Sequence, residues 1–126
     1  MSTLHALLVD DNLENLDVLK QLLTMNGIEC TAVHDPTQIV DQDFGDVNIV
    51  FLDLEMPKMD GYETFDYLRN QMGITAPIIA YTVHAGQINE AFQRGFQGFV
   101  GKPLQPKRFQ DQLQRILAGE GVWEAQ

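Results

Sequence analysis

Three acids, one threonine and one lysine stand out in this 126-residue chain by type and by position. Asp10 and Asp11 close one apolar run, Asp53 closes a second, Thr82 a third, and Lys102 follows a fourth. Carboxylates gathered in one place repel one another, and a hard divalent cation removes that cost. Mg2+ favours one or two carboxylates together with retained waters and phosphate oxygens, so this set suits Mg2+ better than an all-protein Ca2+ cage. A carboxylate can also act as a nucleophile and become an aspartyl phosphate. A hydroxyl and an ammonium, those of Thr82 and Lys102, are then suited to the phosphoryl oxygens, the lysine acting as a point charge.

These residues are far apart in sequence, so secondary structure must bring them together. His5 to Val9 reads as a first strand. From Asn12 the period changes: Leu13, Leu16, Leu19, Leu22 and Leu23 fall three and four apart and line one helix face. Asn12 can cap that helix and Gly27 can end it. Ile28 to Val33 is the second strand. Asp35-Pro36 starts a short helix expected to reach about Gln42. Val47 to Leu52 is apolar almost throughout, as a strand buried on both faces should be. A loop with Pro57 and Gly61 leads into a helix marked by Tyr62, Phe65, Leu68 and Met72. Pro77 to Tyr81 is the fourth strand, Gln87 to Arg94 a weaker helix, Phe96 to Gly101 the fifth strand, and Pro106 to Ala118 the last helix. Five strands alternating with five helices imply a parallel sheet joined by right-handed crossovers, with helices on both faces. The chemical residues then collect at the carboxyl ends of the strands, where open parallel sheets bind ligands. The expected organisation is one domain over residues 1–118 and a short acidic tail over 119–126, with no output domain.

Composition narrows the function. The chain has 18 Asp plus Glu against 8 Lys plus Arg, a formal net charge of −10. Binding to nucleic acid through the phosphate backbone needs the opposite balance, so no nucleic-acid partner is expected. No apolar run approaches the ~20 residues of a membrane span. The start of the chain lacks the basic and apolar regions of a signal peptide, so a cytoplasmic location and no membrane partner are expected. Cys30 is the only cysteine, which leaves no disulfide framework.

Four segments carry a resemblance: LLVDDN at Leu7 to Asn12, VFLDLEMPKMDG at Val50 to Gly61, IIAYT at Ile78 to Thr82, and FVGKPL at Phe99 to Leu104. In this order, each at a strand end, they resemble the response-regulator receiver domain of two-component signalling, in its single-domain, chemotaxis-regulator-like form. The resemblance implies a flavodoxin-like, doubly wound five-stranded sheet of order 2-1-3-4-5. It implies that Asp53 is the phosphoacceptor, that Asp10, Asp11, Asp53 and the backbone carbonyl of Glu55 hold Mg2+, and that Thr82 and Lys102 contact the phosphoryl group. It places Phe99 at the switch aromatic, moving with Thr82, and makes Pro103 a cis-proline candidate that orients Lys102. The implied phosphodonor is a sensor histidine kinase or a histidine phosphotransfer protein, and the implied output is contact with a downstream protein, as a monomer or weak homodimer. Such a domain catalyses only its own phosphorylation and dephosphorylation.

Plainer readings stand beside these. Asp10 and Asp11 could be a helix cap, Asp53 a turn residue, Thr82 an ordinary strand residue, Lys102 a solvated lysine and Phe99 a core aromatic. Trp123 could dock on the body or meet a partner. Two departures from the family pattern, Val83 after Thr82 and the acid at Glu55, suggest with His84 a control on the water that removes the phosphoryl group. Competing functions are a receiver that binds partners without phosphorylation and a Mg2+-dependent aspartyl phosphatase. The phosphatase is disfavoured because such enzymes carry their nucleophile on the first strand. A flavin binder is disfavoured because Asp10 and Asp11 would repel its phosphate.

Overall fold

A computed structural model of the chain describes residues 4–40, 42–83, 85–102 and 104–124. Strand β1 (His5–Val9) leads into α1 (Leu13–Met25), whose start is capped by the Asn12 side chain accepting from the Asn15 N–H. Strand β2 (Glu29–Val33) follows Gly27, whose φ of 76° lies in the left-handed region that glycine adopts freely. Strand β3 (Ile49–Leu52), helix α2 (Gly61–Asp66), β4 (Ile78–Thr82), α3 (Ile88–Arg94), β5 (Gly98–Gly101) and α4 (Pro106–Leu117) complete the alternation. Helix α2 runs on into a π-helical turn, Tyr67–Gln71.

The sheet is parallel throughout, in the order β2-β1-β3-β4-β5-β6. Alternate residues of each strand enter opposite cores. Leu8, Phe51, Tyr81 and Val100 pack with Leu19 and Leu23 of α1 and Phe109, Leu113 and Ile116 of α4. Leu7, Val9, Val50, Leu52 and Phe99 pack with Phe65 of α2, Leu68, and Ala91 of α3. The helices therefore cover both faces, which is why the central strands read as continuous apolar runs.

Two expectations are corrected. The second helix is a single 3-10 turn, Pro36–Ile39. Asp35 caps it and Pro36 starts it, but only Pro36 and Ile39 are buried, and Val40 is already extended. Two apolar anchors hold one turn, and nothing further along draws another turn onto the sheet. Among the described residues the sheet also has six strands, not five: β6 (Val122–Glu124) pairs in parallel with β5. Gly119, with φ of 90°, turns the chain off α4 and back to the sheet edge. Among the described residues no helix is long and apolar enough to cross a membrane.

Candidate functional site

The carboxyl end of the sheet gathers the five side chains. Asp10 follows β1 and is completely buried; Asp53 follows β3 and is buried; Thr82 ends β4 and Lys102 follows β5, both buried. Asp11 alone faces solvent. One carboxylate oxygen from each of Asp10, Asp11 and Asp53 lies within 4.8 Å of the others.

Lys102 sits across this group. Its Nζ donates to Asp10 Oδ2 at 2.7 Å and lies 3.6 Å from Asp53 Oδ2. It also stands 4.3 Å from the centroid of the Tyr81 ring, a cation–π contact in a desolvated place. The Lys102 N–H donates to the Thr82 carbonyl at 3.0 Å, which ties the ends of β4 and β5 together. The other oxygen of Asp10 accepts the Asn12 N–H at 2.9 Å, and Asp53 Oδ1 accepts a longer bond of 3.4 Å from the Glu55 N–H.

Burial dominates the electrostatics of Asp53. Desolvation pushes its carboxyl up to about 7; Lys102 pulls it down and the charge of Asp10 pushes it up further. An acid held this high is one whose ionised form lacks compensation. Three carboxylates, an all-oxygen donor set and an open side at Asp11 fit a hard divalent cation with retained waters, which is the preference of Mg2+.

The loop after Asp53 is built for close approach. A Cβ on Gly61 would lie 2.4 Å from the Asp53 carbonyl and 2.6 Å from the Leu54 Cα. Only glycine lets α2 begin there, with its N–H donating to the Leu54 carbonyl at 3.0 Å. Asp60 and Glu63 form a capping box at this start. Lys58 takes a left-handed φ of 69°, and its Nζ reaches Asp35 Oδ2 at 3.0 Å. The MPKMDG stretch is therefore a shaped turn that returns the chain beside Asp53.

Glu55 is exposed at the rim. Its Oε1 accepts from Gln87 Nε2 at 2.9 Å, and Gln87 Oε1 accepts from the Tyr62 hydroxyl at 3.0 Å. Val83 follows Thr82 and is exposed. Phe99 is fully buried in the core shared with α2 and α3. Pro103 and His84 lie outside the described residues.

Sequence reasoning missed Tyr81, Gln87 and Tyr62. Tyr81 reads as one more apolar strand residue, yet alternation turns it toward α1, where its hydroxyl donates to the Asn15 carbonyl at 3.2 Å. Burial raises its phenol above the usual range. An aromatic directly before Thr82 was the available signal.

Comparisons agree with this geometry. Residues 6–114 match the family model described as the response regulator receiver domain. The two-component response regulator 24 of Arabidopsis thaliana is 34% identical over 82% of this chain and 76% of its own length. The osmosensing histidine protein kinase SLN1 of Saccharomyces cerevisiae is 30% identical over 93% of this chain, which spans only 10% of SLN1. The receiver domain of the sensor histidine kinase PA1611 of Pseudomonas aeruginosa, solved with a magnesium ion coordinated in its active-site cleft, superposes with a TM-score of 0.78 at 28% identity, covering 93% of this chain and 99% of that one. With a family match across most of its length and its acids collected at the strand ends, this chain belongs to the response-regulator receiver domains, the phosphorelay switches of two-component signalling.

Proposed function

We propose that Asp53 accepts the phosphoryl group in this chain. The observation that carries the reading is the position of the Asp53 carboxylate beside two further acids, with the Lys102 ammonium 3.6 Å away. An Asp53 oxygen attacks the phosphorus of a phosphohistidine on a histidine kinase or a histidine phosphotransfer protein. The phosphorus–nitrogen bond breaks, and the imidazole leaves with the electron pair and takes a proton from water. Lys102, now bound to Asp10, pairs with a phosphoryl oxygen on Asp53, and Thr82 donates its hydroxyl to another. Asp10, Asp11, Asp53 and the Glu55 backbone carbonyl would hold Mg2+, which would supply positive charge beside the transferring group.

The chain works in this reading as a regulatory phosphoacceptor in the cytoplasm, not as a phosphatase for external substrates. Phe99 and Thr82 form its switch pair, and its output is contact with a downstream protein. Glu55, whose Oε1 accepts from Gln87, would with Val83 and His84 control the water that ends the signal. Phosphorylation with acetyl phosphate and Mg2+, followed by intact mass, tests the proposal. One added phosphoryl group is expected, absent with EDTA and absent in Asp53→Asn. No adduct on the wild-type chain overturns it.

A further inference from the structure

Lysine carries a compact charge on a flexible stem, so an ammonium that must meet a transferring group has to be held in place. The two acids beside Lys102 hold it unevenly. Asp10 Oδ2 accepts a hydrogen bond of 2.7 Å, whereas Asp53 Oδ2 lies 3.6 Å away. The shorter contact is therefore to the acid that does not react.

The Tyr81 ring adds a further hold. Leu8, Phe51, Tyr81 and Val100 pack into one core, on one face of the sheet. Asp10, Asp53 and Lys102 stand two residues beyond Leu8, Phe51 and Val100. Alternation carries the three charged groups onto the same side as Tyr81. Lys102 Nζ lies over the Tyr81 ring, 4.3 Å from its centroid, and both residues are buried. A cation over an aromatic face is attracted most strongly where water is excluded.

The ring is itself braced. The Tyr81 hydroxyl donates to the Asn15 carbonyl, in the first turn of α1, at 3.2 Å. The Asn15 N–H donates to Asn12 Oδ1 at 3.0 Å, and the Asn12 N–H donates to Asp10 Oδ1 at 2.9 Å. The other Asp10 oxygen accepts from Lys102, so the contacts close a circuit through Asp10, Lys102, Tyr81, Asn15 and Asn12. Both holds on the ammonium thus bear on the start of α1. Burial, and then the charges of Asp10 and Asp53, raise the Tyr81 phenol above its usual range, so the ring stays neutral. A further carboxylate in its place would claim an ammonium proton and repel a phosphoryl group. The ring face attracts the cation without adding charge, and leaves the ammonium donors to oxygen acceptors.

We infer that Tyr81 is a positioning residue for phosphoryl transfer: its ring face, braced on Asn15, keeps the Lys102 ammonium beside Asp53. The inference rests on Asp53 as phosphoacceptor.

Two measurements on the full chain test it. In proton NMR without metal or phosphodonor, the Lys102 Cε protons are expected upfield of those of the other lysines, through the ring current of Tyr81. The displacement should persist in Tyr81→Phe and vanish in Tyr81→Leu. Initial rates of phosphorylation by acetyl phosphate with Mg2+ are then read by intact mass. Tyr81→Phe keeps the ring face and is expected within about threefold of wild type, whereas Tyr81→Leu is expected to be about tenfold slower. A ring-fluorinated phenylalanine at the same position keeps the shape of phenylalanine but loses the negative face. It is expected to be as slow as Tyr81→Leu, and it decides the question if the leucine variant does not fold. Lys102 protons at ordinary lysine shifts in the wild-type chain overturn the contact. A fluorinated chain as fast as Tyr81→Phe overturns the positioning role and leaves Tyr81 a core residue, with Asp53 still the phosphoacceptor. No adduct on the wild-type chain overturns both this inference and the reading of Asp53.

Discussion

Asp53 carries a cost that its neighbours only partly offset. Burial raises its carboxyl to about 7, whereas an unfolded aspartate titrates near ~4. A folded state that holds its proton more tightly loses stability as pH rises, from about 4 until the folded group is ionised near 7. Asp53→Asn has no such loss. Without metal, the variant is expected to be more stable than wild type by about 1–3 kcal/mol at pH 8, with the gap closing toward pH 4. Urea midpoints at several pH values check this, and a gap that does not change with pH contradicts it. Lys102 has the opposite sign. Lys102→Met leaves Asp10 buried without its 2.7 Å partner, and breaking a buried pair by removing one member costs about 3–5 kcal/mol. The same variant is expected to lose phosphorylation by acetyl phosphate, read by intact mass. The grouping of the five side chains was legible because each closes or follows an apolar strand run. Tyr81 was not, because its contact with Lys102 depends on which sheet face it occupies.

Helix α1 was legible because four leucines sit on its buried face between two capping signals. The 3-10 turn and β6 were not, for a common reason: short elements hold few residues, and their existence is decided by what they pack against. Val122-Trp123 after a glycine turn has strand composition, but three residues show no period. Its seat, Gly98 on β5 and the arginines of α4, lies elsewhere in the chain. The junction of β3 and α2 shows the converse, a long-range demand written on one residue. Gly61→Ala would put its Cβ 2.4 Å from the Asp53 carbonyl, where backbone must move. The expected loss is about 1–3 kcal/mol, as for overpacking, seen as a lower urea midpoint. Because the displaced backbone belongs to Asp53, the proposed phosphoacceptor, the initial rate of phosphorylation should fall as well. A normal rate at lowered stability would show that the loop absorbs the methyl without moving Asp53.

At the scale of the molecule, the acidity of the chain has a local counterpart. Three carboxylates against one lysine leave the site at minus two, and one divalent cation brings it to zero. Metal and proton therefore compete for the same charge. With burial pushing the Asp53 carboxyl up to about 7, the proposed Mg2+ is expected to displace a proton below that pH. A one-proton competition weakens apparent affinity by about tenfold per pH unit below that point. Ligand stabilisation follows RT ln(1 + [L]/Kd), so Mg2+ at about 100 times its pH 8 dissociation constant adds about 2.7 kcal/mol there. At pH 6 the same Mg2+ is only about 10 times the weakened constant and adds about 1.4 kcal/mol. Thermal unfolding with and without Mg2+ at the two pH values should therefore show the metal's shift in Tm falling by about half. In Asp53→Asn the residual shift should no longer depend on pH over this range. A wild-type shift equal at both pH values would place the competing proton on no group of this site.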